Sequence, residues 1–203
     1  VALDAATGTE IWRTTVLIPF HGAPTASGGR IYVSSDDNEL LALDMATGAV
    51  QWTYQGIVES ARLLTSPSPA VLGDIVVAPF ASGELVALRA QNGNPIWSDS
   101  LTRSGNSTAL SAINDVAGSP VILDGVVYAM SHSGVLVAVE LRTGERLWTL
   151  PAGGLHTPWV VGDYLYVVTT EAEVVCVNRL TGTISWITSL DLFENPNRRK
   201  NRI

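Results

Sequence analysis

The residues that could do chemistry in this chain are few and scattered. His21, His132 and His156 are its three histidines, and Cys176 is its single cysteine. A zinc site needs three or four converging ligands. The three histidines stand at different offsets in different stretches of the chain, so nothing in their spacing brings them together. One thiol excludes an internal disulfide and a cysteine-rich metal site, and Cys176 reads as a small buried residue. Asp36-Asp37-Asn38-Glu39 has the carboxylate density of a calcium loop, but the glycine and the later glutamate of such a loop are missing. It therefore reads as a turn. Asn106-Ser107-Thr108 fits a glycosylation sequon. No P-loop, dinucleotide fingerprint or nucleophile elbow occurs. The expectation is a protein with no catalytic residues, no metal and no cofactor.

Charge narrows the partners. The chain of 203 residues carries 12 basic and 19 acidic side chains, a net charge of −7. Arg198, Arg199, Lys200 and Arg202 sit together near the end, which leaves the rest more acidic still. An acidic body does not suit a phosphate backbone, so nucleic acid is not an expected partner. The basic run reads as a solvated loop. No apolar run is long enough for a transmembrane helix. Val1-Ala2-Leu3-Asp4 already belongs to repeat sequence, so no signal peptide is expected in this chain.

The elements that must position these residues come from an internal repeat. Leu3-Asp4-Ala5-Ala6-Thr7-Gly8, Leu43-Asp44-Met45-Ala46-Thr47-Gly48, Leu88-Arg89-Ala90-Gln91-Asn92-Gly93, Val139-Glu140-Leu141-Arg142-Thr143-Gly144 and Val177-Asn178-Arg179-Leu180-Thr181-Gly182 are variants of one phrase. Four residues after each glycine stands a tryptophan: Trp12, Trp52, Trp97, Trp148 and Trp186. The glycines are spaced by 40, 45, 51 and 38 residues, the period of a four-stranded propeller blade. Pro24, Pro69, Pro120 and Pro158 each precede their glycine by 24 residues.

The fixed points have physical readings. Gly28-Gly29, Gly73-Asp74, Asp124-Gly125 and Gly162-Asp163 suit tight hairpins that need positive φ. Asn38, Gly83, Gly134 and Ala172 occupy a second turn, where Ala172 predicts a looser or strained backbone. Short runs rich in β-branched and aromatic residues lie between the turns. Each unit therefore predicts four antiparallel strands, here called A to D. The proline begins strand A, and Pro79 predicts a bulge in a B strand. The repeated tryptophan predicts packing between neighbouring blades.

The fold class is all-β: a β-propeller in one partial ring over residues 1–203. Complete blades are expected at about 23–53, 68–98, 119–149 and 157–187. Residues 1–15 read as the end of a preceding blade and 188–203 as the lead into a following one. All length variation lies between a tryptophan and the next proline. The long connections, Thr53–Ser68 and Ser98–Ser119, share one face with the B–C turns. Insertions on one face of a repeat scaffold commonly carry binding. Ile57, Val58, Arg62, Leu63 and Leu64 in the first, with Leu110, Ile113, Asp115 and Val116 in the second, are the candidates. Arginine beside large apolar groups is hot-spot composition.

The repeat resembles the quinoprotein-type propeller, most clearly from Ala42-Leu43-Asp44-Met45-Ala46-Thr47-Gly48 to Trp52. Dehydrogenases of that type typically carry an adjacent cysteine pair over pyrroloquinoline quinone, and this chain has a single cysteine. A fragment of such a dehydrogenase, or a generic propeller interaction module, is the alternative reading. A narrower resemblance runs from Ser107 through Asn114-Asp115-Val116-Ala117-Gly118-Ser119-Pro120 to Ala129. It continues through Gly134-Val135-Leu136-Val137-Ala138-Val139 and Arg142-Thr143-Gly144. This looks like the BamB-type lipoprotein family of the outer-membrane β-barrel assembly machinery. That resemblance implies eight blades, a periplasmic site at the outer membrane, a lipid anchor outside this chain, and no catalysis. It also implies docking of the barrel-forming subunit's periplasmic domains. Arg62, Leu63 and Leu64 resemble the family's leucine and arginine cluster. Asp115 matches the first of its two acidic contacts, where Ala117 stands at the second. By this resemblance Leu63 and Leu64 would supply apolar anchors, and Arg62 and Asp115 charge and register.

Overall fold

The computed structural model describes residues 1–58, 67–102 and 115–191. Strands β1 (Ala2–Leu3) and β2 (Glu10–Trp12) form a two-stranded antiparallel sheet. Four sheets of four antiparallel strands follow. The first holds β3 (Thr25–Ser27), β4 (Arg30–Ser34), β5 (Glu39–Asp44) and β6 (Val50–Gln55). The second holds β7 (Ala70–Leu72), β8 (Ile75–Pro79), β9 (Glu84–Arg89) and β10 (Pro95–Ser100). The third holds β11 (Val121–Leu123), β12 (Val126–Met130), β13 (Leu136–Glu140) and β14 (Arg146–Leu150). The fourth holds β15 (Trp159–Val161), β16 (Tyr164–Val168), β17 (Glu173–Asn178) and β18 (Ile184–Ser189). In each sheet, strands pair in chain order and the first strand lies beside the first strand of the next sheet. These are the blades of a β-propeller, and no α-helix occurs among the described residues.

Apolar side chains of facing sheets form the core. Tyr32, Leu40 and Ala42 pack with Val76, Ala78 and Val86 across the first interface. Val77, Leu85 and Ala87 pack with Val127, Val137 and Val139 across the second, and Tyr128, Met130 and Leu136 with Leu165, Val175 and Val177 across the third. A strand between two sheets is buried on both faces, so β8 is buried at every residue. Such strands read as continuous apolar runs.

One row of side chains recurs across the four sheets. Tyr32–Ala42–Trp52, Val77–Ala87–Trp97, Tyr128–Ala138–Trp148 and Tyr166–Cys176–Trp186 lie opposite one another on strands two, three and four. In the three rows that carry a tyrosine, the small central residue lets the flanking rings meet over it. Tyr32 and Trp52 stand 5.9 Å apart, Tyr128 and Trp148 6.1 Å, and Tyr166 and Trp186 6.0 Å. Cys176 is a packing residue in that slot, 2% exposed.

The residue before each tryptophan is bulged. Ala42 faces Trp52 but Leu43 faces Val50, which leaves Gln51 extra, and the register shifts likewise beside Trp12, Trp97, Trp148 and Trp186. A bulge re-aims the next side chain, and here it turns the indole toward the following sheet. Trp12 Nε1 donates to the Met45 carbonyl at 3.0 Å and Trp52 to Ala90 at 3.0 Å. Trp97 donates to Leu141 at 2.7 Å and Trp148 to Arg179 at 2.8 Å. Each acceptor stands three residues before a corner glycine. The indole then lies on that glycine: a Cβ at Gly93 would fall 2.6 Å from a ring carbon of Trp52. Gly93 also has φ +72°. The corner itself is closed by the preceding polar residue. Asp44 accepts from the Thr47 hydroxyl and from the N–H groups of Thr47 and Ala46, which holds its carboxyl below the ordinary 3.8.

The sequence expectation of a bulge at Pro79 is not met. Strands β8 and β9 pair without a shift, and Pro79 faces Leu85 as the last pair. Phe80 N–H donates to Glu84, so the proline nitrogen points to the other side, beyond the end of β7. A missing N–H costs nothing there. Asn38, Gly83, Gly134 and Ala172 all adopt positive φ, at 57°, 82°, 107° and 58°. Ala172 therefore carries left-handed strain that its glycine counterparts do not.

Two substitutions read these constraints in opposite directions. Gly93→Ala should cost about 2–4 kcal/mol, combining left-handed strain with overpacking against Trp52. Ala172→Gly should stabilise by roughly 0.5–1 kcal/mol, since strain relief exceeds the added freedom of the unfolded chain. Denaturant unfolding measures both, and a neutral Gly93→Ala would remove the indole contact from the account.

Candidate partner-docking site

The turn between β8 and β9 is where the two long connections meet. Phe80, 2% exposed, begins that turn. The first connection leaves β6 at Gly56, whose N–H donates to Asn38 O. Gly56 packs on Phe80 so closely that a Cβ there would lie 2.9 Å from the ring. Ile57 is clamped next: its carbonyl accepts from Asn38 Nδ2 at 2.6 Å, and its N–H points to Glu84 Oε2 at 3.4 Å. Asn38 Oδ1 also accepts from Ala81 N–H at 3.1 Å. One side chain thus ties the first sheet's turn to the second's.

The second connection is rooted on the same turn. Leu101 N–H donates to Gly83 O at 2.8 Å, and Val116 N–H to Phe80 O at 3.3 Å. Leu101 and Val116 are buried, and Ser133 Oγ donates to the Leu101 carbonyl at 3.1 Å. The exits of both connections are joined as well, through Ser68 N–H donating to Ser119 Oγ at 2.9 Å.

The sequence-derived candidates divide three ways. Ile57 and Val58 are 56% and 71% exposed, so two large apolar groups stand in solvent at the root of the first loop. Arg62, Leu63 and Leu64 lie outside the described residues, as do Leu110, Ile113, Asn106-Ser107-Thr108 and the basic run at 198–202. Asp115 is 2% exposed, and its carbonyl accepts from His132 N–H at 2.8 Å. A carboxylate buried in that way does not present its charge to a partner. The backbone carbonyl of Asp115 ties down the end of the second loop, and nothing in the local sequence distinguishes a buried carboxylate from an exposed one here. Trp12, Trp52, Trp97 and Trp148 lie on the sheet interfaces, and Trp186, on the last described sheet, is 45% exposed.

The candidates for metal chemistry do not converge. Among the described residues no group of three or more His, Cys, Asp or Glu is placed to hold an ion. His21 Nδ1 pairs with Asp36 Oδ2 at 2.7 Å, and Asp36-Asp37-Asn38-Glu39 forms the β4–β5 turn, where Ser35 Oγ accepts from Asp37 and Glu39 N–H. Asp37, Glu39 and Glu84 leave the two turns beside Ile57 acidic.

Known proteins share this architecture. The family model described as outer membrane protein assembly factor BamB matches residues 1–188. The assembly factor BamB of Yersinia pestis is 28% identical over 194 residues, covering 96% of this chain and 49% of that protein. That of Moranella endobia is 27% identical over the same length. The crystal structure of BamB from Moraxella catarrhalis superposes with a TM-score of 0.85 at 26% identity, over 92% of this chain and 56% of that one. The chain spans about half the length of the curated relatives it matches. Quinohemoprotein alcohol dehydrogenase from Comamonas testosteroni superposes at 0.72 with 18% identity, over 85% of this chain and 35% of that one, a likeness of fold alone.

If Phe80 roots both loops, Phe80→Ala should release them together. The global cost should be about 3–5 kcal/mol, and amide exchange at Gly56 and Val116 should accelerate in parallel. Acceleration at one of the two alone would separate the loops.

Proposed function

The chain belongs to the family described as outer membrane protein assembly factor BamB, and on that premise we propose that it acts as a non-catalytic scaffold of the outer-membrane β-barrel assembly machinery. Its place is the periplasmic side of the bacterial outer membrane, with membrane attachment through a lipid anchor outside this chain. It docks the periplasmic domains of the barrel-forming subunit through the connections 53–68 and 98–119. The observation that carries this reading is the rooting of both loops on one turn, with Ile57 and Val58 exposed at its edge.

The division of labour follows from the composition of the first loop and the burial of Asp115. Leu63 and Leu64 supply the apolar anchors and Arg62 the charged contact. Desolvated leucine-sized groups beside an arginine make a compact hot spot. Asp115 sets register from beneath, by holding the second loop's root. The acidic turns around Ile57 favour a partner surface with basic groups at its rim, since complementary rims raise association rates and fix orientation.

The double substitution Leu63→Asp with Leu64→Asp tests the assignment. Loss of two anchors should weaken capture of the barrel subunit's periplasmic domains by at least about thirtyfold, with Tm unchanged. Undiminished capture would place the contact elsewhere.

A further inference from the structure

Three residues that precede an inner-strand proline carry a hydroxyl: Ser68 before Pro69, Ser119 before Pro120 and Thr157 before Pro158. Proline has no N–H, so the last donor of each loop is the residue before it. That residue is also held extended, which points its N–H sideways toward the next sheet. Ser68 N–H donates to Ser119 Oγ at 2.9 Å, and Ser119 N–H donates to Thr157 Oγ1 at 3.1 Å. The hydroxyls thus pass the end of one loop to the end of the next around the inner rim.

The two ends of the first link are not equivalent. Ser119 stands on a fixed stalk. Asp115, Val116, Ala117, Gly118 and Pro120 are all buried, and Val116 N–H is bonded to Phe80 O. Gly118 lies against the His156 carbonyl with no room for a Cβ. Ser68 closes the first long connection and, like Ser119, is half-buried, but the residue before it, Pro67, is half-buried too, where Gly118 before Ser119 is buried. The link therefore orients the first loop from the second, across 51 residues of sequence.

We propose that Ser119 is a positioning residue: its hydroxyl locks the exits of the two connections so that they present one docking surface. This rests on the docking reading above. Two measurements on the chain keep the two ideas apart, comparing wild type, Ser119→Ala and Ser119→Thr. Amide exchange at Ser68 reports the lock without any partner. Affinity for the barrel subunit's purified periplasmic domains reports docking. In Ser119→Ala, exchange at Ser68 should rise about tenfold, the worth of one hydrogen bond. Affinity should fall at least about fivefold, and Tm should move by less than about 3 °C. Ser119→Thr restores the hydroxyl and should recover both.

Unchanged exchange at Ser68 in Ser119→Ala overturns the lock. Faster exchange with unchanged affinity overturns the positioning role, as does failure of Ser119→Thr to rescue. If the wild-type chain does not bind the domains, the docking reading falls, and with it the positioning role, while the exchange data still decide whether the hydroxyl couples the loops.

Discussion

Everything in this molecule depends on a tryptophan laid over the next sheet's corner glycine. The contact has two halves. The indole N–H needs a carbonyl, which it finds three residues before the glycine at Met45, Ala90, Leu141 and Arg179. The ring needs a surface without a Cβ, which Gly48, Gly93, Gly144 and Gly182 provide. The same glycines sit at positive φ, so two independent requirements fall on one residue. A four-stranded sheet cannot bury both faces alone, and this contact fixes how each sheet meets its neighbour. It is supported from behind by the bulge that aims the indole and by the small residue over which tyrosine and tryptophan meet.

A fold held in this way leaves its other face free to vary. The corners and their tryptophans engage one end of each sheet. The connections from the fourth strand to the next first strand leave the other end, where length changes disturb no indole contact. That is why the long segments after Trp52 and Trp97 are tolerated. They are not loose appendages, however. Phe80, Asn38 and the Ser68–Ser119 bond tie their roots to the scaffold and to each other. At these roots the polar groups are spent on backbone positions, and among the described residues no group of three or more His, Cys, Asp or Glu is placed to hold a metal ion.

Much of the fold was legible because the repeat imposes it locally. Strands, hairpins and the positive-φ positions, including the strained Ala172, follow from residue type and spacing alone. The tryptophan spacing marked the docking contact but not its acceptor, since a carbonyl belongs to every residue type. The bulge before each tryptophan depends on pairing register, which composition does not encode, and Pro79 misled because the side to which its nitrogen points also depends on register. Asp115 shows the same limit for the site. As a charged residue in a long loop it reads as a surface contact, and only the packing of Val116 and Ala117 reveals that it lies inside. The Ser68–Ser119 link joins a backbone N–H to a hydroxyl far away in sequence and has no local signal beyond a serine before a proline.

The central claim is that the loop-bearing face, and not the corner face, meets the partner. Site-specific photo-crosslinking tests it most directly. A photoreactive residue is placed at Val58, 71% exposed at the first loop's root, and in a second protein at Asp74, exposed on the opposite end of the second sheet. With the barrel subunit's periplasmic domains present, the account predicts a crosslink from position 58 and none from 74. A crosslink from 74 with none from 58 would contradict it.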